Sequence, residues 1–246
     1  MPTRWTLALT ADRPDAEQPV TPAQLHGLAA LLLEGTGADH HAQHKPYTVS
    51  PLLATPSPQS GRPGALLRLG WLPDTPRPDL TRLTGRTVRL GSQHFTVTTA
   101  HEEFTPYAAL SQLPPASRAI IQFRSATYFS RNGRWHPLPD PVLLYGGLIR
   151  RWNLFAPETA RLTDVEGKEL LGAVALSAHE ISSLPVDLGS GTRIGFTGTA
   201  AFRLLGRYEP HERVPQLFPA LSLFAITAGA GAQTTHGLGS VEVDLE

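Results

Sequence analysis

The segment Gly229-Ala-Gly231-Ala-Gln233-Thr234-Thr235-His236-Gly237-Leu-Gly239 puts two glycine pairs around five small or polar residues near the end of the chain. An apolar run (Leu221, Leu223, Phe224, Ile226) precedes it, and an alternating stretch (Val241, Val243, Leu245) follows. Glycine adopts positive φ without steric cost and lets backbone amides come close to a ligand. Loops of this kind cradle phosphates. Seven residues follow Gly239, so no βαβ unit opens from here. A dinucleotide fingerprint would need a third glycine where Thr234 stands, with a helix after it. A Walker loop would need Gly-Lys-Ser/Thr, which is absent. The remaining readings are a phosphate-binding loop or a tight turn before a last strand.

The periodicity upstream predicts α+β architecture. Residues 4–10 alternate as a strand. Thr21-Pro22-Ala23-Gln24 is a capping-box start for a helix running to Glu34. Further strands are expected at 45–53, 66–72, 87–90 and 94–98, with a short helix from Asp79 to Leu83. That order is β-α-β-β-α-β, the ferredoxin-like pattern. The second half repeats it. A strand spans Ile120–Phe129, with a hairpin turn at Asn132-Gly133. A helix spans 141–155, with Val142, Leu143, Leu148, Ile149 and Trp152 on its apolar side. Strands are expected at 170–181 and 194–205, a helix at 214–228, and a last strand after the glycine loop. Pro114-Pro115 interrupts the pattern. Two tandem ferredoxin-like (RRM-like) domains are therefore expected, at residues 1–112 and 113–246, the second carrying the C-terminal glycine-rich loop.

Composition narrows the chemistry. The 21 basic residues balance 21 acidic ones, so total charge announces no partner, and only Lys45 and Lys168 are lysine. The excess of arginine suits phosphate contacts and base stacking, but G- and C-rich codon usage is the preferred explanation for it. With no cysteine, thiolate chemistry, disulfides and cysteine-ligated metals are excluded, and a reducing cytoplasm is the expected location. No signal peptide or membrane span is expected.

His40, His41 and His44 stand just before Lys45. Such a cluster serves a metal, proton transfer, or only a solvated turn. No zinc-type spacing accompanies it, so no metal is expected. Histidine is the natural acid–base group near neutral pH, and Lys45 offers a positive charge for a transition-state oxyanion. No Gly-x-Ser-x-Gly elbow exists. Glu102 and Glu103 are expected at the surface. Around the second-half hairpin, Arg124, Arg131 and Arg134 interleave with Tyr128, Phe129 and Trp135. This combination fits single-stranded RNA, with the arginines as contacts and Phe123 or Tyr128 as packing.

Three segments in this order resemble one family: His40-x4-Lys45-Pro-Tyr-Thr-Val-Ser-Pro-Leu, the region from Ser125-Ala-Thr-Tyr-Phe to Pro139, and the terminal Gly-x-Gly-x5-Gly-x-Gly loop. Together they resemble the CRISPR repeat-RNA-processing endoribonucleases, the sixth Cas protein family of the RAMP superfamily. The resemblance implies metal-free cleavage of precursor CRISPR RNA within each repeat, without a cofactor. The 2′-OH attacks the adjacent phosphate and leaves a 2′,3′-cyclic phosphate and a 5′-OH. It also implies a histidine after the first helix for proton transfer, here His40 or His41 with His40 preferred, and Lys45 as the stabilising charge. Some members carry a tyrosine on the first helix. None matches here, so that role is vacant or falls to His26. The implied RNA-binding residues are Gly229, Gly231, Gln233, Thr234, Thr235, His236, Gly237 and Gly239, with Arg124, Arg131 and Arg134. The implied partners are CRISPR repeat RNA, subunits of a CRISPR effector complex and a second copy of the chain, though the sequence carries no dimer signature. The second reading is a non-catalytic RNA-binding RAMP subunit, and the third is an unrelated small-molecule enzyme.

Overall fold

Strict alternation of apolar and polar residues makes β1 (Thr3–Ala11) the centre of the first sheet, since every second side chain, from Thr3 to Ala11, is buried. A computed structural model describes residues 1–13, 19–34, 44–55, 64–206, 208 and 213–246. Helix α1 (Pro22–Leu33) begins where the sequence predicts. Thr21 accepts from the Gln24 amide, and the Gln24 side chain accepts from the Thr21 amide. Its buried face is Leu25, Leu28, Ala29 and Leu33. These residues pack with Trp5, Leu7 and Leu67 in one apolar core. The strands that follow are β2 (Tyr47–Val49), β3 (Leu53–Thr55), β4 (Gly64–Trp71), β5 (Thr87–Leu90) and β6 (Gln93–Phe104). The sheet is antiparallel in the order β2-β4-β1-β6-β5, with β3 also on β4. Between β4 and β5 the expected short helix is a single 3-10 turn at Thr81–Leu83.

The second sheet contains β7 (Arg118–Thr127), β10 (Val174–Asp187), β11 (Thr192–Leu204) and β12 (Val241–Leu245), ordered β10-β11-β7-β12. A separate hairpin, β8 (Phe129–Arg131) with β9 (Arg134–His136), turns through Asn132 and Gly133 at φ 52° and 73°. Helices α3 (Pro141–Phe155) and α5 (Val214–Ala228) have the bounds their periodicity predicts. The short α2 (Tyr107–Leu110) packs into the same core as Trp152, Phe218 and Phe224, so this core reaches back into the first half of the chain.

Three expectations are corrected. Residues 170–181 are not one strand, because α4 (Asp164–Ala173) runs to the start of β10. A second capping box starts that helix: Thr163 accepts from the Glu166 amide, and the Glu166 carboxylate accepts from the Thr163 amide. The buried face of α3 is Leu144, Tyr145, Leu148 and Trp152, while Val142 is exposed. Glu102 is not a free surface residue. It accepts from the Trp5 indole at 3.0 Å and from Arg77.

The two sheets are joined by polar contacts beside the glycine loop. Thr48 donates to the Thr227 carbonyl at 2.7 Å, and the Val49 amide donates to the Thr234 carbonyl at 3.0 Å. Arg68 on β4 pairs with Glu242 on β12.

Candidate active site

The glycine loop is built by backbone packing. At Gly239 (φ +68°) a Cβ would stand 2.0 Å from the Ala230 carbonyl oxygen, and at Gly231 (φ +76°) it would stand 2.4 Å from that of Tyr128. Only glycine permits such approaches. They allow three bonds that close the loop and tie it to β7 and its exit: Ala230 amide to Gly239 carbonyl (2.8 Å), Gly239 amide to Ala126 carbonyl (3.1 Å) and Ala232 amide to Tyr128 carbonyl (2.9 Å). Arg151 on α3 fixes the loop from its other side, donating to the Thr234 hydroxyl at 2.6 Å and to the Ala228 carbonyl. Burial and then the neighbouring Arg150 pull the Arg151 guanidinium down to about 10. It is still a cation at neutral pH.

The crest of this loop faces α1 across a cleft of about 330 Å³ lined by His26, His44, Lys45, Arg151, Phe155 and Gln233 to His236. The Nδ1 atom of His26 lies 3.2 Å from the Thr235 carbonyl oxygen. A carbonyl only accepts, so Nδ1 carries a proton, and the tautomer this selects leaves Nε2 as the acceptor. The His26 ring stacks on His236 with centroids 4.2 Å apart and planes 4° apart. The His236 Nδ1 lies 2.9 Å from the Thr235 hydroxyl. Burial, and then the charge of His26, push His236 down from its ordinary 6.5 to about 4. His236 is therefore neutral at pH 7 and stacks on His26 without repelling it.

That depression has a consequence for stability. The unfolded chain takes up a proton on His236 near pH 6.5, and the folded chain resists it until about pH 4. The contribution is complete above 6.5 and lost as pH falls through that window. His236→Gln should therefore flatten the fall in Tm between pH 7 and 4 in thermal unfolding. An unchanged pH profile would remove this role.

Lys45 lies with its Nζ 2.8 Å from Glu34 Oε1, the two side chains being only 12% and 4% exposed. The Tyr47 hydroxyl donates to the same oxygen at 2.8 Å, and burial followed by that carboxylate raises the phenol far above its usual range. The lysine charge is thus positioned at the cleft by a carboxylate at the end of α1, a partner that sequence reading did not supply.

Of the residues singled out in the sequence, the cleft gathers His26, Lys45, Gln233, Thr234, Thr235 and His236. Gly229 and Gly231 line an adjoining hollow with His44, Arg150 and Arg151. Gly237 and Gly239 are buried beneath the loop, where a Cβ at Gly237 would press on Leu25 of α1. These glycines shape the loop, and its exposed surface is offered by Gln233 and, in part, Thr235. The amides of Gln233 and Thr235 donate to no protein acceptor among the described residues. Arg124, Arg131 and Arg134 are exposed on β7 and the β8–β9 hairpin, outside the lining of the cleft. His40 and His41 lie outside the described residues. Arg151 and Glu34 were missed. The adjacent Arg150-Arg151 pair at the polar edge of an apolar helix was the available signal for the first.

A family model described as CRISPR-associated endoribonuclease Cas6 matches residues 121–241. A curated Cas6 endoribonuclease of Mycobacterium tuberculosis is 25% identical over 134 residues, covering 53% of this chain and 40% of that protein. The chain thus aligns with less than half the length of this relative. Among solved structures, one Cas6 product complex is 25% identical with a TM-score of 0.79 and covers 99% of this chain and 100% of that one. Cas6 of Thermus thermophilus is 24% identical with a TM-score of 0.73, covering 99% and 98%. An RAMP protein described as binding different RNA substrates shares the fold at a TM-score of 0.53 and 13% identity. The glycine loop falls inside the matched sequence, and the fold agrees along nearly the whole chain, so this chain is similar in both sequence and fold to the Cas6 CRISPR-associated endoribonucleases.

Proposed function

We propose that this protein cuts precursor CRISPR RNA within its repeats, without a metal ion, by attack of a ribose 2′-OH on the adjacent phosphate. The observation that carries this reading is the cleft itself, where a helix histidine with a defined tautomer, a carboxylate-positioned lysine and the crest of a glycine-closed loop meet. In-line attack needs a base to take the 2′-OH proton, a positive charge beside the phosphorane, and an acid to protonate the departing 5′-oxygen. The new bond joins O2′ to phosphorus, the P–O5′ bond breaks, and the products are a 2′,3′-cyclic phosphate and a 5′-OH. Lys45 supplies the charge. His26 and one of His40 or His41 share the proton transfers. The chain order brings His40 and His41 to just before His44, which lines the cleft.

The loop holds the RNA backbone through the Gln233 and Thr235 amides. Arg124, Arg131 and Arg134 carry the strand beyond the cleft. Repeat RNA is the partner, and effector subunits or a second copy of the chain are further ones. The expected domains at 1–112 and 113–246 each keep the ferredoxin-like order, supported by the runs β2-β4-β1-β6 and β10-β11-β7-β12. Among the described residues no helix is long and apolar enough to cross a membrane; the cytoplasm is the proposed location.

The test uses a labelled CRISPR repeat RNA in EDTA, beside the same RNA with 2′-deoxyribose at the cut site. Cleavage of the ribose substrate alone, with a cyclic phosphate end, is the expected result. Tight binding with no cleavage of either would mean the non-catalytic RAMP subunit, and neither binding nor cleavage would end the RNA reading.

A further inference from the structure

The β8–β9 hairpin carries a feature that cleavage chemistry leaves unused. Trp135 on β9 is 51% exposed, whereas Trp5 and Trp152 are fully buried. Arg193 on β11 lies over its ring, the guanidinium carbon 3.8 Å from the centroid. Arg193 also donates to the Thr192 carbonyl at 3.1 Å, which holds the guanidinium in place. One face of the indole is therefore covered, and its large exposure leaves the other open.

Three more arginines share this region. Arg131 and Arg134 face each other across the hairpin, and Arg124 lies on β7. All three are exposed, and among the described residues neither they nor Arg193 forms an ion pair. A contrast stands on the first sheet, where Arg77 lies 5.3 Å from the Phe104 centroid but is neutralised by Glu102. An open indole face backed by the Arg193 cation, with Arg131 and Arg134 exposed on the same hairpin, suits a ligand with both a flat ring and negative charge. The root of the hairpin also touches the glycine loop, because the Tyr128 carbonyl accepts from the Ala232 amide at 2.9 Å.

We propose that Trp135 and Arg193 form a stacking platform for an unpaired nucleobase of RNA, outside the cleavage cleft. It rests on the RNA-binding reading above. Every base offers a π-face to an aromatic ring, and a cation stacked behind that ring strengthens the contact.

The probe is a short single-stranded 2′-O-methyl RNA of mixed sequence, which lacks the attacking hydroxyl, beside an abasic strand of the same length. Trp135→Ala should weaken binding of the base-bearing strand by about 5- to 150-fold. It should leave the abasic strand and the salt slope unchanged, and Trp135→Phe should restore most of the affinity. Arg193→Ala should weaken both strands and lower the salt slope by about 0.7. The platform is overturned if Trp135→Ala changes affinity less than twofold, or weakens both strands equally. An acidic protein partner in place of RNA would leave base-bearing and abasic strands bound equally by the wild type, and that also overturns it. Cleavage of repeat RNA is measured on the same variants. A wild type that cleaves while Trp135→Ala binds normally removes the platform alone. A wild type that binds neither strand nor repeat RNA removes the proposed function as well.

Discussion

His26→Phe is expected to slow repeat-RNA cleavage by about 10²-fold or more with RNA affinity kept within a few-fold. Phenylalanine retains a flat ring to stack on His236, so the contact between α1 and the glycine loop survives. It removes both ring nitrogens, and with them the bond to Thr235 and the acceptor on Nε2. His26→Phe therefore separates proton transfer from packing, which alanine would confound. One of His40→Ala and His41→Ala should lower the single-turnover rate by a similar factor, while the other is close to neutral. A double variant of His26 and the active member of that pair should fall well below additivity if the two act as acid and base in one step. The measurement is single-turnover cleavage at saturating protein, with affinity read separately by filter binding. Unchanged rates in all three single variants would remove the histidines from the chemistry and favour an RNA-binding subunit.

Gly239→Ala is expected to cost about 2–5 kcal/mol of stability, because strain at positive φ adds to a collision with backbone that cannot rotate away. The added carbon would stand 2.0 Å from the Ala230 oxygen. Relief requires breaking the bond between the Ala230 amide and the Gly239 carbonyl, or shifting β12 against β7. Gly133→Ala is the matched comparison. It has φ +73° and nothing within 4 Å of its Cβ, so it should lose only about 1–2 kcal/mol from its φ. Urea unfolding of the two variants decides the matter, and equal losses would mean the loop is not closed by backbone contact. The same geometry changes how Gly231 is understood. A Cβ there meets the Tyr128 carbonyl at 2.4 Å, so Gly231→Ala and Gly231→Asp should both disturb the loop, and a loss of RNA affinity in the aspartate variant is steric before it is electrostatic.

Local signals were legible wherever a few neighbouring residues decide the outcome. The Thr21–Gln24 capping box starts α1, Asn132-Gly133 turns the hairpin, and the apolar repeats bound α3 and α5. Residues 170–181 misled because Leu170 and Leu171 continue without a break into Val174 and Leu176. The helix start lies upstream, in the Thr163–Glu166 capping box, so a window opening at Leu170 sees only its apolar end.

By itself the sequence determined the α+β order, the candidate histidines near residue 40, Lys45 and the place of the glycine loop. The tertiary structure decided how those pieces act. His26 and Thr235 are 209 positions apart, and the contact that sets the tautomer exists only because the two sheets dock through Thr48, Val49 and Arg68. Arg151 reads in sequence as one more helix arginine, and in the fold it pins Thr234. The four loop glycines read as freedom to meet a phosphate. In the fold they are spent on backbone meeting backbone and side chain, because a close approach has no trace in the chain until its second partner arrives from elsewhere.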